Sequence, residues 1–210
     1  MAAVDYKKTQ KELYQPGSAP SIVDVPEMTF VATDGRGDPN TSEDYTNAVQ
    51  MLYGLSFTIK MNKKWAGYFD YVVPPLEGFW SLDDAAFQGG TPIADKDKLI
   101  WTSLIRLPDF VTKDIFLSAK EALAKKKPAL DLSLLRLEKI TEGLCVQAMH
   151  TGPYDDEPAT IAKMERYAAE QGYAGDFIQT RRHHEIYLGD PRRTAPEKLK
   201  TVIRHPIRKA

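Results

Sequence analysis

The chain has 210 residues, a formal net charge of −1 and a single cysteine, Cys145. A charge this close to zero argues against the phosphate backbone of nucleic acids as the main partner, and one cysteine excludes a disulfide framework within the chain. Residues 1–14 lack the apolar segment of a signal peptide, and no window approaches the ~20 apolar residues of a membrane-spanning helix, so we expect a cytoplasmic protein that does not bind membranes.

The first half of the chain predicts a strand, a helix and two further strands. Residues 28–33 form a strand-like run that leads into glycine-rich turn residues. A helix is predicted over 41–55, where apolar residues recur with helical spacing and Ser42 or its neighbour can cap the first turn. Strands are then predicted over 56–61 and 68–73.

The second half repeats this order after a connecting helix predicted over 114–126. A strand is predicted over 144–149, where Cys145 is expected to be a buried and inert thiol. A helix over 157–171 and a strand over 185–188 follow. Both halves close with the pattern Ile-Arg-X-Pro, at residues 105–108 and 203–206.

This duplicated order predicts an α+β fold. Two β-α-β-β units would form one antiparallel sheet with the helices on one face and a ligand cleft between the halves. We place repeat one at about 20–110, the connecting helix at about 112–127 and repeat two at about 134–210, all within a single domain. Helices on one face are expected to leave the other face for a groove or for solvent.

A lone carboxylate, Glu185, stands in the apolar strand near the end of the second repeat. Successive strand residues face opposite sides, so Glu185 and Tyr187 share one face while Ile186 and Leu188 share the other. If Ile186 and Leu188 pack under the helices, Glu185 looks out from the uncovered face. A carboxylate there must find a partner, stay protonated or await a ligand. The alternative is a half-exposed strand whose glutamate points into water.

Aromatic residues are the expected walls of a ligand site on this sheet. Large flat rings with polar tips make pockets for flat, apolar ligands, and a carboxylate among them suits a cation or a hydrogen-bond donor. For any one ring, packing in the core is the alternative. The predicted ligand-binding residues are Trp65, Phe79, Trp101, Tyr154, Phe177 and Tyr187.

Motifs for phosphate, metal and nucleophilic chemistry are absent from the sequence. The glycines of residues 34–38 lack the continuation of a phosphate-binding loop, and no Gly-X-Ser-X-Gly sequence occurs. His183 and His184 are adjacent in a strand and therefore point to opposite faces, so they cannot chelate one metal together. We predict neither a metal site nor a cofactor.

Two segments resemble the GyrI-like small-molecule-binding proteins, and more narrowly their stand-alone subgroup of about this length. These are the opening of the first repeat, residues 20–30 and 35–40, and the ending, residues 184–194 and 197–204. The resemblance implies a duplicated β-α-β-β fold with a cleft between the halves. In relatives a buried glutamate helps to hold flat, often cationic ligands, and Glu185 stands at its place in the motif.

The resemblance also implies an activity, because members of the stand-alone subgroup are described as cyclopropanoid cyclopropyl hydrolases. These open the cyclopropane ring of DNA-alkylating natural products with water. In that scheme Glu185, with a pKa raised by apolar walls, is the base, and the phenol of Tyr71 or Tyr187 stabilises the developing oxyanion. Two alternatives stay open: a non-catalytic module that sequesters flat aromatic or cationic drugs, and an inhibitor of another protein. In each case we expect a monomer or weak homodimer.

Overall fold

The computed structural model describes residues 3–82 and 96–210. The helices are Tyr6–Thr9 (α1), Lys11–Tyr14 (α2), Glu43–Met61 (α3), Lys113–Lys126 (α4) and Glu157–Glu170 (α5). The strands are Ser21–Val25 (β1), Met28–Arg36 (β2), Leu76–Leu82 (β3), Leu99–Leu107 (β4), Arg136–Ile140 (β5), Gly143–Thr151 (β6), Tyr173–Gly175 (β7), His183–Tyr187 (β8) and Lys200–Lys209 (β9).

The predicted α+β fold is confirmed. The nine strands of the described residues all pair antiparallel, in the order β1-β6-β9-β8-β3-β4-β2-β5, with β7 added beside β9. The units β2-α3-β3-β4 and β6-α5-β8-β9 meet where β3 pairs with β8, and Gly78 lies opposite Glu185 at this seam. Both long helices cover the same face: α3 packs on residues such as Val31 and Ile105, and α5 packs on residues such as Ile203.

Two of the strands predicted for the first repeat are wrong. Residues 56–61 are the last turns of α3, where Ile59 extends the buried stripe of Leu52 and Leu55 at helical spacing. This packing outweighs the strand preference of the short β-branched and aromatic run. Residues 68–73 form no strand either, and Tyr71 makes only a single bridge to Val4.

The face opposite the helices is covered, contrary to the expectation that it would stay open. The N-terminal segment lies on it and buries Tyr6, Leu13 and Tyr14 against residues from β2, β4, β6, β8 and β9. Cys145 is buried in the same cluster, and burial raises the pKa of its thiol to about 12, so the thiol stays protonated at neutral pH. The cleft must therefore lie on the helical face.

The edge strands are exchanged between the two halves. β1 leads into β2 through Pro26 and Glu27 but pairs with β6, whereas β5 leads into β6 through Thr141 and Glu142 but pairs with β2. Links this short can span only about 10 Å, so the two ends of the strand order lie close together. The sheet consequently curls around the face covered by the N-terminal segment.

Buried ions lie on this covered face and join β8 and β9 to Glu142, which precedes β6. The Arg204 guanidinium donates to Glu142 Oε1 at 2.7 Å, and His184 Nδ1 lies 2.9 Å from the other oxygen of Glu142. Burial opposes ionisation of Glu142, yet the charges of His184 and Arg204 lower its pKa to about 2. Arg106, which is the matching arginine of the first repeat, donates to Gln10 Oε1 at 2.6 Å.

Candidate functional site

A cleft of about 1860 Å³ lies on the helical face, above the seam between the two halves. Residues of β3 and β8 form its floor, while α3 and the start of α5 form opposite walls. The volume exceeds the roughly 300–1,000 Å³ of a typical small-molecule site. The floor and walls nearest the seam include Tyr45, Tyr53, Trp80, Tyr154, Glu157, His183, Glu185 and Tyr187.

Strand alternation places Glu185 in this cleft. In β8, Ile186 points into the cluster under the N-terminal segment, so its neighbours Glu185 and Tyr187 point toward the helices. Gly78 lies opposite Glu185 on β3, and a Cβ there would stand only 2.7 Å from Trp80 Nε1 and 3.2 Å from the Tyr187 hydroxyl. Glycine at this position therefore leaves room for the Trp80 and Tyr187 side chains to meet.

A chain of short hydrogen bonds holds both oxygens of Glu185. Trp80 Nε1 donates to the Tyr187 hydroxyl at 2.8 Å, and the indole N–H can act only as a donor. The hydroxyl proton of Tyr187 is thus free to bond Glu185 Oε2, at 2.7 Å. The other oxygen, Oε1, lies 2.7 Å from His183 Nε2, while His183 Nδ1 lies 2.7 Å from His205 Nε2.

These partners keep Glu185 ionised, although only 13% of its side chain is exposed. Burial by itself would raise the pKa of Glu185, but the hydrogen bond and charge of His183, with the Tyr187 hydroxyl, bring it below the ordinary glutamate value. This is the opposite of the raised pKa expected from apolar walls alone. The floor of the cleft consequently presents a fixed carboxylate at neutral pH.

A second acid, Glu157, lies beside Glu185 at the start of α5. Atoms of Glu157, Glu185 and His183 all lie within 4.8 Å of one another. At that distance two carboxylates repel by about 3.5 kcal/mol with an effective dielectric constant of about 20. This repulsion exceeds the ~2 kcal/mol by which a helix N-terminus can stabilise a carboxylate. Burial and the Glu185 charge accordingly raise the pKa of Glu157 well above its ordinary value.

The same three side chains are the only group among the described residues with a spacing that suits a metal ion. His183 and Glu185 already bond each other directly, since their facing atoms are 2.7 Å apart. An ion would have to replace that bond and remove the proton from between them. The arrangement therefore favours a proton-linked cluster of two acids and an imidazole.

Two of the predicted aromatic residues lie in the cleft. Tyr187 belongs to its floor, and the ring of Tyr154 meets that of Tyr187 edge-on with centroids 5.8 Å apart. Burial raises the pKa of Tyr154 to about 12, so its phenol remains a hydrogen-bond donor at neutral pH. Tyr187 lies on β8 and bonds the Glu185 carboxylate directly, while Tyr154 lies just before α5.

The other predicted contact residues lie outside the cleft lining. Phe79 is on the covered face against His184, and Phe177 packs edge-on against His205. Trp65 donates its indole N–H to the Ile59 carbonyl at the end of α3. The two remaining residues are internal: Trp101 is buried below Tyr45, and Tyr71 is buried with its hydroxyl 3.5 Å from the Ser56 carbonyl.

Several residues of the cleft were not among those predicted. Tyr45, Val49, Tyr53 and Phe57 recur every fourth residue and form a second stripe of α3, which the sequence pattern already contained. Trp80 follows Phe79 in β3, and strand alternation puts the two on opposite faces, so Trp80 rather than Phe79 faces the cleft. His183 stands two residues before Glu185 in β8 and shares its face by the rule that paired Glu185 with Tyr187.

The sequence profile of the GyrI-like small-molecule-binding domain matches residues 18–208. The chain belongs to the GyrI-like family. Its structure is similar to that of a hydrolase from Listeria innocua, at 44% identity and a TM-score of 0.88, with 98% of this chain and all of the other covered. An uncharacterized conserved protein from Listeria innocua is 45% identical with a TM-score of 0.90 and the same coverage.

More distant relatives share the fold alone. The C-terminal domain of EcmrR is 12% identical with a TM-score of 0.52, over 91% of this chain and 98% of that one. No curated protein matches the chain. Among the described residues, no helix has both the length and the apolar character needed to cross a bilayer.

Proposed function

We propose that this GyrI-like protein hydrolyses cyclopropanoid DNA-alkylating compounds by adding water to the cyclopropane ring. The observation that carries the proposal is Glu185: an ionised carboxylate, oriented through both oxygens, on the floor of a cleft lined with aromatic rings. The 44% identity to a hydrolase from Listeria innocua supports hydrolytic chemistry. The family resemblance supports the strained ring as the reacting group.

Water attack at the ring needs one base and one site for developing negative charge. Glu185 takes a proton from water while the water oxygen bonds to the cyclopropane CH₂ carbon. In a spirocyclopropane alkylator the cyclopropane shares one carbon, the spiro carbon, with a dienone ring. The bond between the CH₂ carbon and the spiro carbon breaks, and its electron pair passes into the dienone, whose oxygen becomes a phenolate. The phenolate takes up a proton, so the product differs from the substrate by one water and no redox partner is needed.

The remaining cleft residues have roles in binding. The rings of Tyr45, Tyr53 and Trp80 give flat apolar surfaces for an aromatic ligand. Tyr154, whose phenol is protonated at neutral pH, is the donor that we assign to the developing oxyanion. This assignment replaces Tyr71, which is buried below α3 with its hydroxyl directed at the Ser56 carbonyl.

The proposal is tested by incubating the protein with a spirocyclopropane alkylator in ¹⁸O-labelled water. We expect catalytic formation of a ring-opened product that carries one ¹⁸O atom, measured by mass spectrometry against heat-denatured protein. Product formation no faster than with denatured protein would contradict hydrolysis.

A second candidate function is sequestration of flat aromatic cations without turnover. The ionised Glu185 among aromatic rings favours it, because both the charge and the ring faces attract a cation. Micromolar or tighter binding of a flat cationic dye, together with unchanged alkylator in the labelled-water assay, would favour this function over hydrolysis.

A further inference from the structure

Glu157 is a buried acid that the proposed hydrolysis does not use. The residue is only 6% exposed, and its Oε1 has no hydrogen-bond partner among the described residues. Its neighbour Glu185 is within 4.8 Å. Two ionised carboxylates so close together and so poorly hydrated repel each other strongly, and the nearest cationic group, His183, contacts Glu185, so Glu157 is the acid that gains most from holding a proton.

The hydrogen bonds around the pair decide which acid is ionised. Glu185 receives the Tyr187 hydroxyl proton on one oxygen and contacts His183 Nε2 with the other, and both contacts favour a carboxylate. For Glu157, the hydrogen bond of the Thr201 hydroxyl lowers the pKa less than burial and the Glu185 charge raise it, and Oε1 has no hydrogen-bond partner among the described residues. The titratable groups that face the pair are Tyr45 on α3, Tyr154 and Asp155 before α5, and His183 and Tyr187 on β8, with His205 behind His183.

The charges of the groups around the two acids also favour a proton on Glu157. Asp155 is negative, and Lys96 is already paired with it at 2.8 Å. The tyrosines are neutral at physiological pH, and burial lowers the pKa of His205 well below its ordinary value, so that ring is neutral as well. His183 directs its Nε2 to Glu185.

We propose that Glu157 is a positioning residue for Glu185: its carboxyl group stays protonated in the working protein and donates a hydrogen bond to the Glu185 carboxylate. The two acids then carry one negative charge between them, and Glu185 remains oriented and free to accept a proton from water. This inference rests on the proposed hydrolysis for its catalytic consequence. The protonation state of Glu157 itself can be measured without any turnover.

The direct test is carbon NMR of protein labelled with ¹³C at the glutamate carboxyl group. The resonance that disappears in Glu157→Gln belongs to Glu157. At pH 7 we expect it at the chemical shift of a protonated carboxyl, whereas the resonance missing from Glu185→Gln should lie at the shift of a carboxylate. A Glu157 resonance at the carboxylate position would overturn the proposal, whether or not the protein turns over an alkylator.

The second test compares two variants of the same position in the hydrolysis assay. Glu157→Ala removes the donor, so we expect a loss of about tenfold in rate and an acid limb of the pH profile shifted upward by about one unit. Glu157→Gln keeps a neutral donor and should recover most of this loss and the original acid limb. Glu170→Gln, an exposed position on the same helix, is the matched control and should behave as wild type.

The outcomes separate this proposal from its alternatives. If Glu157→Gln is as slow as Glu157→Ala, the proton of Glu157 is itself transferred in the reaction, and the positioning role is wrong. If dialysis against EDTA removes activity and zinc restores it in wild type but not in Glu157→Gln, Glu157 is an ionised ligand, which also overturns the proposal. If wild type shows no turnover at all, the proposed hydrolysis fails while the NMR result still decides the protonation of Glu157.

Discussion

Replacing Glu185 with glutamine removes the proposed base while keeping the size of the side chain. The amide oxygen can still accept the Tyr187 hydroxyl proton, so the floor of the cleft should keep its shape. Because its pKa lies below the ordinary glutamate value, Glu185 is fully ionised at pH 7, and the whole benefit of the base is lost on substitution. We expect a rate loss of at least about 100-fold, equivalent to about 2.7 kcal/mol of transition-state stabilisation.

The assay is single-turnover formation of ring-opened product, followed by mass spectrometry with protein in excess. Asp190→Asn is the matched control, since Asp190 lines the same cleft and, within the described part of the chain, its hydrogen bonds go to Arg192, Arg193 and Thr194. It should retain the wild-type rate within about twofold. In wild type the rate should fall only as the pH drops below the ordinary glutamate pKa of 4.5, because the folded-state pKa is lowered. Equal rates for Glu185→Gln and wild type would refute the assigned base.

Three further predictions concern the partners of the site and the stability of the fold. Tyr187→Phe removes the donor to Glu185 Oε2, so the acid limb of the rate profile should move upward and the rate at pH 7 should fall about tenfold. Gly35→Ala places a Cβ 2.2 Å from the buried Trp101 ring and should lower the free energy of unfolding by about 3 kcal/mol, measured in urea. Glu142, with its pKa lowered to about 2, contributes stability above pH 4.5 that is lost as the pH falls; Glu142→Gln should therefore cost about 3 kcal/mol at pH 6 and almost nothing near pH 2.

Each of these predictions has a contrary result. An unshifted acid limb in Tyr187→Phe would mean that its hydroxyl does not stabilise the Glu185 carboxylate. Gly17→Ala is the control for the glycine substitution, because a Cβ there would meet no heavy atom closer than 3.8 Å. If both alanine variants lowered the free energy of unfolding equally, the contact with Trp101 would not be the cause. A Glu142→Gln cost that does not change with pH would show that its charge is not what stabilises the network.

The order of elements followed from the sequence because each half repeats local patterns that packing reinforces. The error at residues 56–61 has a physical cause: Ser56, Phe57, Thr58 and Ile59 favour a strand locally, but Ile59 gains a place in the core only if the helix continues. The covering of the second face was not predictable from periodicity. Residues 3–20 contribute Tyr6, Leu13 and Tyr14 from two single-turn helices, which are too short to show an apolar stripe.

For the candidate site, alternation along one strand was informative, whereas guesses about single rings were not. The rule that pairs Glu185 with Tyr187 also selects His183, and together these form the floor of the cleft. Trp101 and Tyr71 are aromatic, as expected of ligand contacts, but both are fully buried. Aromatic side chains pack in cores as well as in ligand sites, so residue type alone does not separate the two roles. Glu157 carried no local signal, since its closeness to Glu185 arises only when α5 folds back over β8.

The exchange of edge strands makes the two repeats mutually dependent. Residues 1–110 expressed alone would lack the partner of β1 and would leave β2 without β5 and β3 without β8, exposing unpaired strand edges to aggregation. The repeats should therefore melt in one cooperative transition despite their internal symmetry. A chain of half this length could complete such a sheet by exchanging strands with a second copy of itself.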